Sequence, residues 1–205
     1  MSNKHFSELV NTKYDIYEFR YAGTIFRHEY PEEFSQLTTL LEKFQITHED
    51  ILTPGGRKSS IAQKFDDELY SNGWEEKQWD IDIVIDGASH DSPTHKVDYF
   101  KNKVAIELEW NNKDPFYDRD LNNFRLLHEL DVISVGIIVT RADELQGLFN
   151  ELGRGASYGA STTRVGKLLP KIMGGGAAET PLLVFAIRKE ACVETVQELV
   201  DKTQD

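Results

Sequence analysis

Hydrophobic and polar positions change rhythm along the chain. Phe34, Leu37, Leu40, Leu41 and Phe44 recur at helical spacing behind Pro31, and predict a helix over 31–44. A Thr-Pro-Gly-Gly loop at 53–56 separates it from a second helix over 60–72, with the stripe Ile61, Phe65, Leu69 and a stop at Gly73. The first 57 residues therefore read as a helical part. The rhythm then shortens to two. Residues 79–86 alternate apolar with acidic side chains, and 96–100 and 104–110 read as two more strands. Asp114 as N-cap and Pro115 at the first helical position open a helix that reaches about Leu130. The apolar run 132–139 has the character of a strand buried on both faces. A helix over 141–152, a glycine-rich connection over 153–176, a buried strand over 181–187 and a final helix over 190–202 complete the pattern. Strand, helix, buried strand is a crossover unit and requires parallel strands inside the sheet. The expected class is α/β, a mixed sheet flanked by helices.

Composition narrows the picture. The chain has 205 residues, 40% hydrophobic and 11% aromatic, which suits one domain over 1–205 with a packed core. No apolar run reaches the ~20 residues of a membrane helix. Residues 1–15 lack the apolar centre of a signal peptide. A single cysteine, Cys192, excludes an internal disulfide and a cysteine-rich zinc site. A cytoplasmic home and no membrane partner are expected. The net charge of -12 opposes a polyanion, but residues 153–178 carry Arg154, Arg164, Lys167 and Lys171 and no acid.

The informative chemistry lies in 104–110. In a strand, Val104, Ile106, Leu108 and Trp110 share one face, and Ala105, Glu107 and Glu109 the other, with the two carboxylates ~7 Å apart at Cβ. Residues 98–104 read as a hairpin turning around Lys101-Asn102-Lys103. If Lys101-Asn102 form the loop, Asp98 faces Ala105; if Asn102-Lys103 do, it faces Glu107. Either register puts Asp98 on the face of Glu107 and Glu109. Three like charges at close range stay together by protonation or by binding a cation. All-oxygen ligands favour a hard ion, Mg2+ above all, which points to metal-dependent phosphodiester hydrolysis. The bland alternative is the solvated face of an amphipathic strand, and a glycosidase pair also matches the spacing.

The run Val97-Asp98-Tyr99-Phe100-Lys101-Asn102-Lys103-Val104-Ala105-Ile106-Glu107-Leu108-Glu109-Trp110-Asn111 resembles the BglII-type restriction endonucleases, relatives of the BamHI enzyme. The likeness continues through Asp118-Arg119-Asp120-Leu121, Ile133-Ser134-Val135-Gly136, Gly153-Arg154-Gly155-Ala156-Ser157-Tyr158 and Pro181-Leu182-Leu183-Val184-Phe185, covering roughly 58–188. It implies the PD-(D/E)xK nuclease fold, a single nuclease domain with its catalytic and DNA-binding core over 58–188, and a homodimer. It also implies Mg2+-dependent cleavage of both strands of double-stranded DNA at a short palindrome. Asp98 and Glu107 would be metal ligands. Val97 precedes Asp98 where the pattern has proline, and Glu109 stands where the wider superfamily has lysine, so Glu109 would steer or deprotonate the attacking water. Relatives carry one more polar residue upstream, for which Glu68 is the candidate.

DNA contacts are expected from Arg154, Ser157, Ser161, Thr162, Thr163, Arg164 and Lys167 in the glycine-rich stretch, where hydroxyls and cations reach base edges and phosphates. The same composition also fits a surface loop. Arg57 and Lys58 near a helix start, and Asn111, Asn112 and Lys113 directly after the acidic strand, complete the candidates. His90, His95 and His128 show no ligand spacing. Asp80, Asp82 and Asp86 read as the wet side of a strand. The rival functions are a DNA-binding module without cleavage, and a nuclease of the same fold working in repair or defence without a paired methyltransferase.

Overall fold

The structure, a computed structural model, describes residues 2–53, 58–91 and 94–194. A six-stranded mixed sheet organises it. Its strands are β1 (Tyr14–Phe19), β3 (Glu75–Lys77), β6 (Val97–Lys101), β7 (Val104–Glu109), β8 (Val135–Arg141) and β9 (Leu182–Ile187), in the order β1-β9-β8-β7-β6-β3. Of the four inner strands, β7, β8 and β9 run parallel, while β6 pairs antiparallel with β7 and the edge strands β1 and β3 pair antiparallel with β9 and β6. Every residue of β7, β8 and β9 is buried, as an apolar run with helices on both sides requires.

Strand parity divides the core. One face packs Ile106, Leu108, Ile137, Val139 and Phe185 against α1 (Glu8–Lys13), α2 (Ala22–Glu29), α3 (Pro31–Lys43), α4 (His48–Leu52), α5 (Ser60–Ser71) and α7 (Leu145–Glu151). The other packs Ala105, Ile138 and Val184 against α6 (Phe116–Glu129) and α8 (Val165–Met173). Gly136 on β8 lets α6 come close: a Cβ there would lie 2.6 Å from Phe124 Cδ2.

Several expectations need correction. The N-terminal part is not wholly helical. β1 forms a sheet edge against β9, and β2 (Ile46–Thr47) pairs with β10 (Cys192–Val193). The strand read over 79–86 shrinks to β4 (Asp82–Ile85), which pairs with β5 (Ala88–Asp91) in a separate hairpin. Asp114 does not cap α6. Pro115 holds that position, and the Asp114 carboxylate is taken by Lys167. The glycine-rich stretch is not one long connection, because Val165, Leu168 and Ile172 drive α8 into the core despite Pro170. A final helix does not begin at Glu190: Lys189–Ala191 is a single 3-10 turn leading into β10, and 195–205 lie outside the described residues. No helix among the described residues is long and apolar enough to cross a membrane.

Candidate active site

The β6–β7 hairpin sets the site. Lys101 pairs with Val104, leaving Asn102 and Lys103 as a two-residue turn with φ of 45° and 69°. Two left-handed residues in succession match the twist of the flanking strands. The tip is clamped from outside. Asn102 Nδ2 donates to Glu33 Oε1 at 2.7 Å, and Lys101 Nζ donates to Glu32 Oε1 at 2.7 Å and to the Asn72 carbonyl at 2.9 Å. Of the two registers open in the sequence, this is the one that carries Asp98 opposite Glu107. Asp98 replaces a rung of the ladder, its Oδ2 accepting from Leu108 N at 2.9 Å.

Glu107 and Glu109 point beneath α6, each with 1% of its surface exposed. The backbone of Glu109 is fixed on its far side, its carbonyl accepting from Thr140 Oγ1 at 3.0 Å and from Thr163 Oγ1 at 3.2 Å. From α6 comes a fourth acid, Asp120, fully buried. Arg119 binds it through Nε and Nη2 at 2.9 and 2.8 Å, and Arg119 Nη2 lies 3.7 Å from Glu109 Oε1.

So many acids in so little water hold protons. Burial, then repulsion from Asp120, raises Glu107 well above the usual carboxylate range. The same two causes push Glu109 to about 9, with a hydrogen bond to Asp120 adding to the shift. Burial also raises Asp98 and Asp120. The protonated acids donate to their neighbours, Glu107 to Asp98 and Glu109 to Asp120. Glu107 Oε1, Glu109 Oε2, Asp120 Oδ2 and Asn111 Oδ1 remain buried without a hydrogen-bond partner. Among the described residues no group of three or more His, Cys, Asp or Glu side chains stands already arranged around a metal position. The donor chemistry nevertheless fits a hard cation: oxygen donors only, three of the carboxylate oxygens orphaned, and carboxyls that need positive charge to ionise.

Asp98 also lines a cavity of about 450 Å³ between the end of β7 and the start of α5, with Asp66, Tyr99, Asn111, Asn112 and Arg154 among its walls. Asp66 accepts from the Tyr99 hydroxyl at 2.7 Å and forms an ion pair with Lys58. Glu76 on β3 lines the cavity as well, ion-paired to Lys96 at 2.9 Å.

The sequence of this chain matches the model of the family Restriction endonuclease BglII/BglIII over residues 14–187, from the first residue of β1 to the last of β9. The chain belongs to that family. It is an endodeoxyribonuclease, a hydrolase that cleaves DNA sequence-specifically, and its six-stranded sheet flanked by helices is consistent with a restriction-endonuclease-like fold. No curated protein matches it.

In this family member the structure brings Asp98, Glu107 and Glu109 together but leaves Glu68 aside. Glu68 is half-buried on α5, its carbonyl accepting from Ser71 and Asn72, and the acids that line the cavity beside Asp98 are Asp50, Asp66 and Glu76. Asp120 and Arg119 were missed, although a signal existed. Tyr117, Leu121 and Phe124 form the apolar stripe of α6, and an acid at 120 falls inside it.

The basic stretch also differs from expectation, because its cations are not unopposed. Arg164 pairs with Asp143 at 2.9 Å, Lys167 with Asp114 at 3.0 Å and Lys171 with Asp118 at 2.6 Å. Thr162 and Thr163 face inward. The Thr162 hydroxyl donates to the Gly159 carbonyl and accepts from the buried Arg141. Residues 161–163 run beside 112–114, with Thr163 N donating to the Asn112 carbonyl at 2.8 Å and Asp114 N to the Ser161 carbonyl at 3.0 Å. That seam ties the glycine-rich segment to the end of the acidic strand. Ser157, Ser161 and Lys113 remain exposed, Arg154 is half-buried, and Lys58 is held by Asp66. Arg57 lies outside the described residues.

Proposed function

We propose that this chain is a Mg2+-dependent type II restriction endonuclease of the PD-(D/E)xK superfamily, cutting both strands of double-stranded DNA at a short palindrome as a homodimer. The observation that carries the reading is the meeting of Asp98, Glu107 and Glu109 at the open end of a buried strand, in a chain of the BglII/BglIII family. Asp98 and Glu107 would hold the ion. When bound, Mg2+ polarises the phosphoryl oxygen and makes a bound water a better nucleophile. Glu109, on the same face and bridged to Asp120, orients that water or takes its proton. Asn111, Asn112 and Lys113 lie beside the scissile phosphate, and Arg154, Ser157 and Ser161 face the duplex. Arg164 and Lys167 reach DNA by exchanging Asp143 and Asp114 for phosphate or base oxygens. Thr162 and Thr163 hold the reading segment in place. Two cuts from one site per chain call for two-fold symmetry.

The test is incubation of the purified protein with plasmid DNA in Mg2+ or EDTA. Discrete fragments in Mg2+ alone are expected, and none from Asp98→Ala or Glu107→Ala. Asp98→Ala should still bind DNA without divalent ions, since one charge repelling phosphate is gone. Full cleavage by either variant would falsify the assignment. Sedimentation of the complex should give two chains per duplex.

A further inference from the structure

Attack of water on a phosphodiester moves negative charge onto the phosphoryl oxygens, and preorganised positive groups stabilise that charge. The side chains that β7 presents to this site are both acidic, Glu107 and Glu109, and α6 adds a third acid, Asp120. Among the described residues, one cation is ion-paired with any of these three, and it is Arg119.

The setting of Arg119 is specific. Its Nε and Nη2 both bind Asp120 Oδ1, which fixes one edge of the guanidinium. Its Cζ lies over the Phe116 ring, 4.3 Å from the centroid. Nη1 has no protein partner among the described residues. The side chain is 33% exposed, against 1% for Glu109 and 0% for Asp120. Arg119 thus stands between the buried acids and the solvent, with its bonded edge inward. A counter-charge needed only for folding would serve without an open, oriented N–H edge at the surface of the cluster. That edge suits one ligand, an anionic tetrahedral oxygen group, because a planar fork with fixed donors matches phosphate geometry.

We propose that Arg119 is a catalytic residue of the cleavage reaction, its free Nη1 edge binding a non-bridging oxygen of the scissile phosphate. In the reaction the bond from the water oxygen to phosphorus forms and the bond from phosphorus to a sugar oxygen breaks. The water proton passes to an ionised carboxylate of the site, the leaving sugar oxygen takes a proton from solvent water, and Arg119 exchanges none, because a guanidinium stays charged throughout the working pH range. Asp120 acts behind it as a positioning residue. The inference rests on the placing of the hydrolytic site at Asp98 and Glu107.

Single-turnover cleavage of a short cognate duplex in Mg2+, with enzyme in excess, is the test, read beside duplex affinity in Ca2+. Arg119→Ala should lower the rate constant by about 10²–10³-fold, the usual loss for one preorganised donor, and change affinity only a few-fold. Arg119→Lys should recover part of the rate, and free guanidinium ion should rescue Arg119→Ala in a saturable way. If Arg119→Ala does not fold, Arg119→Gln is read by the same criteria. A rate for the folded variant within threefold of the parent overturns the inference. So does recovery of the parent rate in the double variant Arg119→Ala, Asp120→Asn, because a structural counter-charge becomes dispensable once its acid is neutral. Asp98→Asn separates the two failures. If it is inactive while Arg119→Ala cleaves normally, only Arg119 is misassigned; if it cleaves normally, the site itself is misplaced.

Discussion

The sharpest consequence of the buried acids is a stability that falls as pH rises. Glu109 titrates at about 9 in the folded protein, against 4.5 for an ordinary glutamate, through burial first and the charge of Asp120 second. A carboxyl raised in this way keeps its proton in the folded state after the unfolded chain has released it. Its contribution to stability is therefore complete below about pH 4.5 and is lost as pH rises through about pH 9. Within that window, one extra proton on the folded state costs about 1.4 kcal/mol per pH unit, so its share of the stability falls by a few kcal/mol between about pH 6 and pH 8. Glu107, Asp98 and Asp120 are shifted in the same direction and add to this loss, while His5 and His95, lowered chiefly by burial, oppose it over the lower part of the range. Glu109→Gln removes one titration while keeping the size of the side chain and a donor for Asp120. Urea unfolding in EDTA at a series of pH values measures the slope directly. The variant should match the parent within about 1 kcal/mol near pH 6, lose stability more slowly, and exceed the parent near pH 8. Parallel slopes, or a parent that gains stability over this range, would refute the account of the cluster.

Three other expectations follow from packing, turn geometry and surface charge. Gly136→Ala places a methyl group against Phe124 under α6 and should cost about 1–3 kcal/mol in urea unfolding; unchanged stability means that α6 does not sit where described. Asn102→Ala loses both the left-handed turn and the bond to Glu33, and should cost about 1–2 kcal/mol, while Asn102→Gly keeps the turn and loses less; equal losses in the two variants would show that backbone handedness is not the issue. Asp143→Asn frees Arg164 and should tighten DNA binding, whereas Arg164→Ala should weaken it and lower the salt slope by about one; if both bind like the parent across a salt series, Arg164 takes no part in binding.

Much of the fold and part of the site could be read from local pattern. Alternation over 104–110 is enough to put Glu107 and Glu109 on one face with Ala105, because strand side chains repeat every two residues whatever the strand pairs with. The apolar runs at 132–139 and 181–187 identify the inner strands β8 and β9, since only strands covered on both faces can bury every residue. What the alternation leaves open is register. Asn102 and Lys103, both left-handed and held against Glu33 of α3, decide that Asp98 stands opposite Glu107 and not Ala105.

Charge was the least legible property. Arg164, Lys167 and Lys171 look unopposed in the sequence because no acid stands near them along the chain. The partners of Lys171 and Lys167, Asp118 and Asp114, are each 53 residues away and arrive only when α8 packs against α6. Asp120 and Arg119 enter the site for the same reason. Helix periodicity shows an acid inside an apolar stripe, but not which strand residues lie beneath it. β1 escaped notice because six residues between two helices carry too short an alternation to stand out, and its place is set by the unpaired edge of β9. Local periodicity settles which side chains share a face, since backbone geometry alone enforces it. Which charges meet across the fold depends on contacts between distant segments, and these exist only once the core has packed.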